Sequence, residues 1–182
     1  MCMRKSIVLV IFAICVFYCG NSIAQTIPAP TVTTYPQTKA YVSFIIPWFT
    51  INKNTTTTEF QTATTIGFPI GIVVYSSKSF GFSYEFTPLV QWQKSDGKPG
   101  TSKTSNLVFD PGPIFRFKHG LNFIARLAFE TQGRYGFTPV LNKVYLRTKA
   151  LDYWFSVSAP VRFGNSQPAS IGGNLQIGFT FN

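Results

Sequence analysis

The sequence predicts an all-β chain, an eight-stranded antiparallel up-and-down transmembrane β-barrel, on three observations. Apolar and polar residues alternate with a period of two through much of the chain, as on a strand with two unlike faces. Charged residues make up only 12%, about half the share in soluble domains, while aromatics reach 16% with 19 Phe and 8 Tyr. Past the N-terminal segment no apolar run approaches the roughly 20 residues of a spanning helix, and only helices and closed barrels satisfy their backbones in hydrocarbon.

The N-terminal segment has the three parts of a secretory leader. Arg4 and Lys5 supply the basic end, Ser6 to Tyr18 the apolar run, and Ser22-Ile23-Ala24 the small residues of a cleavage site before Gln25. The expected organisation is thus a cleaved signal peptide over 1–24, a Pro- and Thr-rich flexible tail over 25–38, and the barrel over 39–182. All three cysteines (Cys2, Cys15, Cys19) lie in the leader, so the mature part has no disulfide framework and no thiolate site. Removing Arg4 and Lys5 from the formal charge of +10 leaves +8. The lysines stand singly near connections (Lys39, Lys53, Lys78, Lys94, Lys98, Lys103, Lys118, Lys149). They read as solvated turn residues with lipopolysaccharide phosphates within reach, and not as a nucleic-acid patch.

Eight segments carry the strand pattern: Lys39–Ile51, Thr62–Tyr75, Phe80–Trp92, Asn106–Phe117, Leu121–Gln132, Val140–Thr148, Asp152–Phe163 and the last, from Ile171 to Phe181. Phe80 to Trp92 is the clearest, with Phe80, Phe82, Tyr84, Phe86, Val90 and Trp92 on one face and Gly81, Ser83, Glu85, Thr87 and Gln91 on the other. The connections alternate in length, as short periplasmic turns and longer outer loops do. Asn52–Gln61, Lys94–Ser105 and Gly133–Pro139 are long; Ser76–Ser79, Lys118–Gly120 and Lys149–Leu151 are short. Pro47, Pro69, Pro88, Pro111, Pro113, Pro139 and Pro160 fall within proposed strands, where a missing N–H implies bulges or strand breaks.

A soluble lipocalin-like barrel would show the same alternation turned inside out. Against it, the polar face is mostly Gly, Ser, Thr, Asn and Gln, with Gly67, Gly71, Gly81, Gly112, Gly172 and Gly178 suited to a narrow lumen. Trp48, Tyr84, Trp92, Tyr153, Phe179 and Phe181 fall near strand ends, as interfacial girdles do. The same parity sends Glu85, Asp110, Arg116, Arg126, Glu130, Lys143, Arg147 and Arg162 into the lumen, because a charge on the lipid face at midplane costs roughly 2–4 kcal/mol. There they form a polar network, with Arg126 expected to pair with Asp110 or Glu130. The network plugs the barrel; a narrow pore for small solutes is the alternative.

The leader, the eight segments and the ending Leu175-Gln176-Ile177-Gly178-Phe179-Thr180-Phe181-Asn182 resemble small outer-membrane β-barrel proteins. The resemblance implies an outer-membrane address, contact with lipid and lipopolysaccharide, and assembly by the barrel-assembly machinery. That machinery would read Leu175, Ile177, Phe179 and Phe181 as its signal; Asn182 departs from the pattern by leaving the aromatic penultimate. Some small barrels resemble lipid A acyl-modifying enzymes with a His and a Ser near the interface. Here the one histidine, His119, reads as a turn residue in Lys118-His119-Gly120, so no enzyme is expected. One His and no mature Cys exclude the usual N/S metal site, and no cofactor signature occurs. The remaining function classes are a structural envelope role and surface adhesion through the outer loops.

Overall fold

The computed structural model describes residues 34–53, 55–58, 63–93 and 102–182. The expected leader, 1–24, and most of the expected tail lie outside them, as do 54, 59–62 and 94–101 in the two expected long loops.

Twelve strand segments form one antiparallel sheet: β1 (Gln37–Asn52), β2 (Thr55–Thr58), β3 (Ala63–Gly67), β4 (Ile70–Tyr75), β5 (Phe80–Gln93), β6 (Ser102–Phe109), β7 (Gly112–Arg116), β8 (Leu121–Glu130), β9 (Arg134–Arg147), β10 (Leu151–Ser158), β11 (Val161–Gly164) and β12 (Ser170–Phe181). They make eight staves, because β2–β4, β6–β7 and β10–β11 are each one interrupted stave between the same neighbours. β12 returns to β1 from Tyr41↔Thr180 to Asn52↔Ser170 and closes the ring. Closure leaves no edge, which is what a sheet needs in hydrocarbon. One end carries the short turns at 76–79, 118–120 and 148–150 and both ends of the described chain; it is called the turn end, and the other the loop end.

Proline explains the interruptions. Pro69 sits between β3 and β4, Pro111 between β6 and β7, and Pro160 between β10 and β11. Their carbonyls still serve the wall: Ser43 N–H donates to Pro69 O (2.9 Å), Leu127 N–H to Pro111 O (2.8 Å) and Gly172 N–H to Pro160 O (2.8 Å). Pro47 marks a register shift in β1. A missing donor locally breaks the ladder without opening the ring.

Three expectations need correction. The first strand begins at Gln37, so the last two residues of the expected tail belong to the barrel. Part of each of the first two expected loops is strand, since Asn52↔Thr55 through Phe49↔Thr58 continue the β1–β2 hairpin and Ser102–Ser105 belong to β6, with Ser102 opposite Trp92. Gly133–Pro139 is not a long loop: β9 starts at Arg134, Tyr135 and Phe137 face outward, and Gly136 and Thr138 face inward. Gly133, Gly136 and Pro139 read as loop punctuation, yet only Gly133 (φ 81°) serves a turn.

The faces settle which way the barrel is turned. Phe44, Trp48, Ile72, Phe86, Phe115, Leu127, Phe129, Leu141 and Ile177 are exposed, Leu127 by 57% and Ile177 by 63%. Ser83, Glu85, Thr87, Asn106, Asn122, Arg126, Asn142, Ser156 and Gln176 are buried. An apolar outside around a polar inside is a surface for lipid, and the lipocalin-like alternative requires the reverse.

Candidate functional site: a lumen cluster between two cavities

Tyr41 of β1, Ser83, Glu85 and Thr87 of β5, and Arg126 of β8 meet across the lumen. Alternation puts each on the inward face, and glycine lets them approach. A Cβ at Gly71 would stand 2.3 Å from Tyr41 Cζ, and one at Gly178 would stand 2.6 Å from Trp154 Cζ2. These positions are filled by neighbours' rings, so only glycine fits.

Glu85 is the hub, 2% exposed. Arg126 Nη1 donates to its Oε1 at 2.7 Å, Tyr41 Oη–H to its Oε2 at 2.8 Å, and Thr87 Oγ1 to Oε1 at 3.3 Å. Arg126 Nη2 also reaches Tyr41 Oη at 3.2 Å, and Ser83 Oγ lies 3.2 Å from the same hydroxyl. Beside this cluster Gln176 Nε2 donates to Ser43 Oγ (2.8 Å), and its Oε1 accepts from Ser156 Oγ (3.1 Å). A charge pair this deep needs further hydrogen bonds, which Tyr41 and Thr87 give to Glu85 and Tyr41 to the Nη2 of Arg126.

Arg126 therefore pairs with Glu85, and not with Asp110 or Glu130 as expected. Those two carboxylates face Arg162, whose Nε lies 2.7 Å from Glu130 Oε1 and whose Nη2 lies 3.9 Å from Asp110 Oδ1. Arg162 Nη1 also donates to Thr138 Oγ1 (3.0 Å), and Asn106 Nδ2 to Glu130 Oε2 (2.8 Å). Parity put all five in the lumen; it could not say which cation met which anion.

The other three lie apart. Arg116 and Arg147 line a small turn-end cavity of about 50 Å³, with Arg116 over the Tyr75 ring at 4.4 Å from its centroid. Lys143 does not enter the lumen. It is paired with Leu121 beside Phe123↔Leu141, whose side chains are exposed, and its Nζ donates to His119 O (2.8 Å). It sits far enough toward the turn end for its ammonium to find a turn carbonyl. His119 itself is exposed at φ 59° in that turn.

Two cavities flank the central cluster. The turn-end one is lined by Tyr41, Val73, Tyr75, Ile114, Ile124, Val140 and Trp154, rimmed by Lys39, Arg116, Arg147 and Asp152. The loop-end one, about 230 Å³, holds Glu85, Asp110, Glu130, Arg126, Arg134, Arg162 and Ser158. Arg126 and Gln176 line both, so their layer lies between the two cavities.

Sequence reasoning missed Tyr41, Gln176 and Arg134. Tyr41 and Gln176 are uncharged and carried no flag beyond their parity, while Arg134 stood in the segment taken for loop. Of the expected girdle, Trp48, Tyr84 and Phe181 are exposed, and Tyr153 and Phe179 pack at 6.2 Å. The Trp92 side chain lies outside the described residues. Leu175, Ile177, Phe179 and Phe181 share the outward face of β12.

Comparison with solved structures adds to this geometry. The attachment invasion locus protein Ail of Yersinia pestis matches with a TM-score of 0.51 at 8% identity, over 81% of this chain and 99% of that one. The fold is that of a small outer-membrane β-barrel. Weaker likenesses are to a de novo designed transmembrane β-barrel (TM-score 0.44, 12% identity, 79% of this chain and 93% of that one) and to OprG of Pseudomonas aeruginosa (0.36, 9%, 79% and 93%). No family model and no curated protein matches the sequence.

Proposed function

We propose that this protein is a sealed barrel of the outer membrane whose role is structural and surface-facing, with neither a through-pore nor an enzymatic activity. The observation that supports this reading is the partition: Tyr41, Glu85, Arg126 and Gln176 occupy the lumen between two separate cavities. Eight staves leave an interior that side chains just fill. The turn end would face the periplasm and the loop end the exterior, with the outward aromatics in lipid and Lys53 among the cations able to meet lipopolysaccharide phosphates. The outward face of Leu175, Ile177, Phe179 and Phe181 suits recognition by the barrel-assembly machinery. Surface contact would fall to the loop-end connections over 59–62 and 94–101; the Yersinia pestis protein of similar fold is an attachment invasion locus protein.

The test joins fractionation to conductance. The protein should band with outer membranes and change its electrophoretic mobility on boiling, and it should give no ion conductance in planar bilayers. Steady single-channel conductance from the unaltered protein would replace the sealed reading with the narrow pore. Deleting both long connections should leave the heat-modifiable barrel intact while removing any cell-surface adhesion; adhesion that survives would rule those loops out.

A further inference from the structure

The loop-end cavity contains more polar capacity than its own contacts use. Asp110, Arg126 and Ser158 are 6%, 5% and 8% exposed. Among the described residues, Asp110 Oδ1, Arg126 Nε and Ser158 Oγ have no hydrogen-bond partner, and neither has the buried Nε of Arg134. All four residues line the same cavity. Buried polar atoms are normally satisfied, so four unpartnered ones around a single space mark it as made for a polar occupant.

Charge bookkeeping gives the occupant's chemistry. On the cavity floor stand three carboxylates (Glu85, Asp110, Glu130) and two guanidiniums (Arg126, Arg162). Arg126 is taken by Glu85 at 2.7 Å and Arg162 by Glu130 at 2.7 Å. Asp110 is left in surplus, 3.9 Å from Arg162 and outside hydrogen-bond range. Arg134 is the converse. Its Nη2 donates to Arg162 O (3.2 Å), Pro168 O (3.2 Å) and Ser170 Oγ (2.9 Å), all neutral acceptors, and no carboxylate of the described residues pairs with it. Arg162 spans the two, with its carbonyl on Arg134 and its guanidinium toward Asp110. The cavity thus has an anionic pole at Asp110 and a cationic pole at Arg134, on either side of Arg162.

We propose that this vestibule binds a small zwitterion whose ammonium group and carboxylate are several bonds apart, the ammonium at Asp110 and the carboxylate at Arg134. Ser158 and Arg126 Nε supply further hydrogen bonds, and Ile45, Pro47, Leu89 and Val108 give the connecting methylenes an apolar wall. Binding needs no passage through the partition, so the proposal stands whether or not the lumen conducts.

The probe is 4-aminobutyrate, titrated calorimetrically into the full-length barrel in detergent micelles, with butyrate, butylamine and glycine as controls. Saturable binding is expected, with butyrate and butylamine at least about tenfold weaker, a loss of one charged pole each. Glycine, whose charges are too close to reach both poles, should also be weaker. Asp110→Asn and Arg134→Gln should each weaken 4-aminobutyrate binding at least about tenfold, and Arg134→Lys should retain most of it. Boiled and unboiled samples on a gel establish that each variant is folded. Should either variant fail to fold, the four-ligand comparison on the unaltered protein decides alone. Butyrate binding as tightly as 4-aminobutyrate would reduce the site to an anion site, butylamine doing so would reduce it to a cation site, and no saturable binding would leave the cavity to water; each outcome overturns the proposal.

Discussion

Toward the turn end the lumen holds the apolar cluster of Tyr41, Val73, Tyr75, Ile114, Ile124, Val140 and Trp154, with the buried Asn122–Asn142 hydrogen bond (2.8 Å) beside it and Lys39, Arg116, Arg147 and Asp152 at its rim. Toward the loop end the same eight staves enclose Glu85, Asp110, Glu130, Arg126, Arg134 and Arg162 around a larger space. One half is held by packing and the other by charge satisfaction. In the first, the small cavity of about 50 Å³ leaves little to bind, and the Tyr41 and Trp154 rings (6.0 Å apart) lie over glycines. In the second, a wider interior keeps its polar groups apart and leaves some unpartnered. A barrel of fixed stave number can therefore be filled more tightly at one level than at another, according to which inward positions carry large side chains.

The largest effect should come from breaking the boundary between the halves. Arg126→Ala leaves Glu85 buried without its cation and should lower unfolding stability by about 3–5 kcal/mol. A denaturant titration of the heat-modifiable band measures it; an unchanged midpoint and unchanged conductance would mean that the apolar half alone holds and seals the barrel. Next, Leu127→Arg places a charge on the lipid side of the same strand and should cost about 2–4 kcal/mol at midplane depth. Its readout is the same titration in liposomes, and a neutral result would put that face against something wetter than lipid.

Smaller effects sharpen the contrast. Gly71→Ala should cost about 1–3 kcal/mol by overpacking, because the new methyl would meet the Tyr41 ring and, at 2.6 Å, the Tyr84 carbonyl, which the strand pairing holds in place. A thermal shift in detergent checks this, and no shift would mean the turn-end cluster is looser than its contacts imply. The smallest should come from Asn182→Ala at the seam. Asn182 Nδ2 donates to Thr148 O (3.1 Å) and Asp152 Oδ1 (3.2 Å), and Lys39 Nζ donates to its Oδ1 (2.6 Å). Exposed contacts of this kind are worth under about 1 kcal/mol, so this loss should be just measurable in the same assay.

Much of this barrel was legible because its code is local. Whether a residue points in or out follows from counting by two, and the parity of Phe80 to Trp92 placed Glu85 inside before any partner was known. The six glycines assigned to a narrow lumen are all buried for the same reason. Lys143 keeps the alternation, outward with Leu141, and overturns only the expectation that strand charges turn inward: near a turn an outward lysine can reach a carbonyl, and no charge need be left in lipid. Gly136 and Pro139 misled because their usual meaning is a turn, whereas here Gly136 fits beside Val161 O and Pro139 needs only its carbonyl, which accepts from Ala159.

By itself, then, the sequence determined the period, the count of staves and the sign of each face, since these depend on residues two apart in the chain. Only the tertiary structure decided that Arg126 meets Glu85, that Arg162 takes Glu130 with Asp110 at 3.9 Å, that Tyr41 bonds Glu85 and Gln176 bonds Ser43, and that Arg134 donates to neutral acceptors. Those pairings join strands 20 to 133 residues apart, and their register depends on the stagger with which the ring closes between β1 and β12. Alternation is a property of each strand alone; stagger belongs only to the closed barrel.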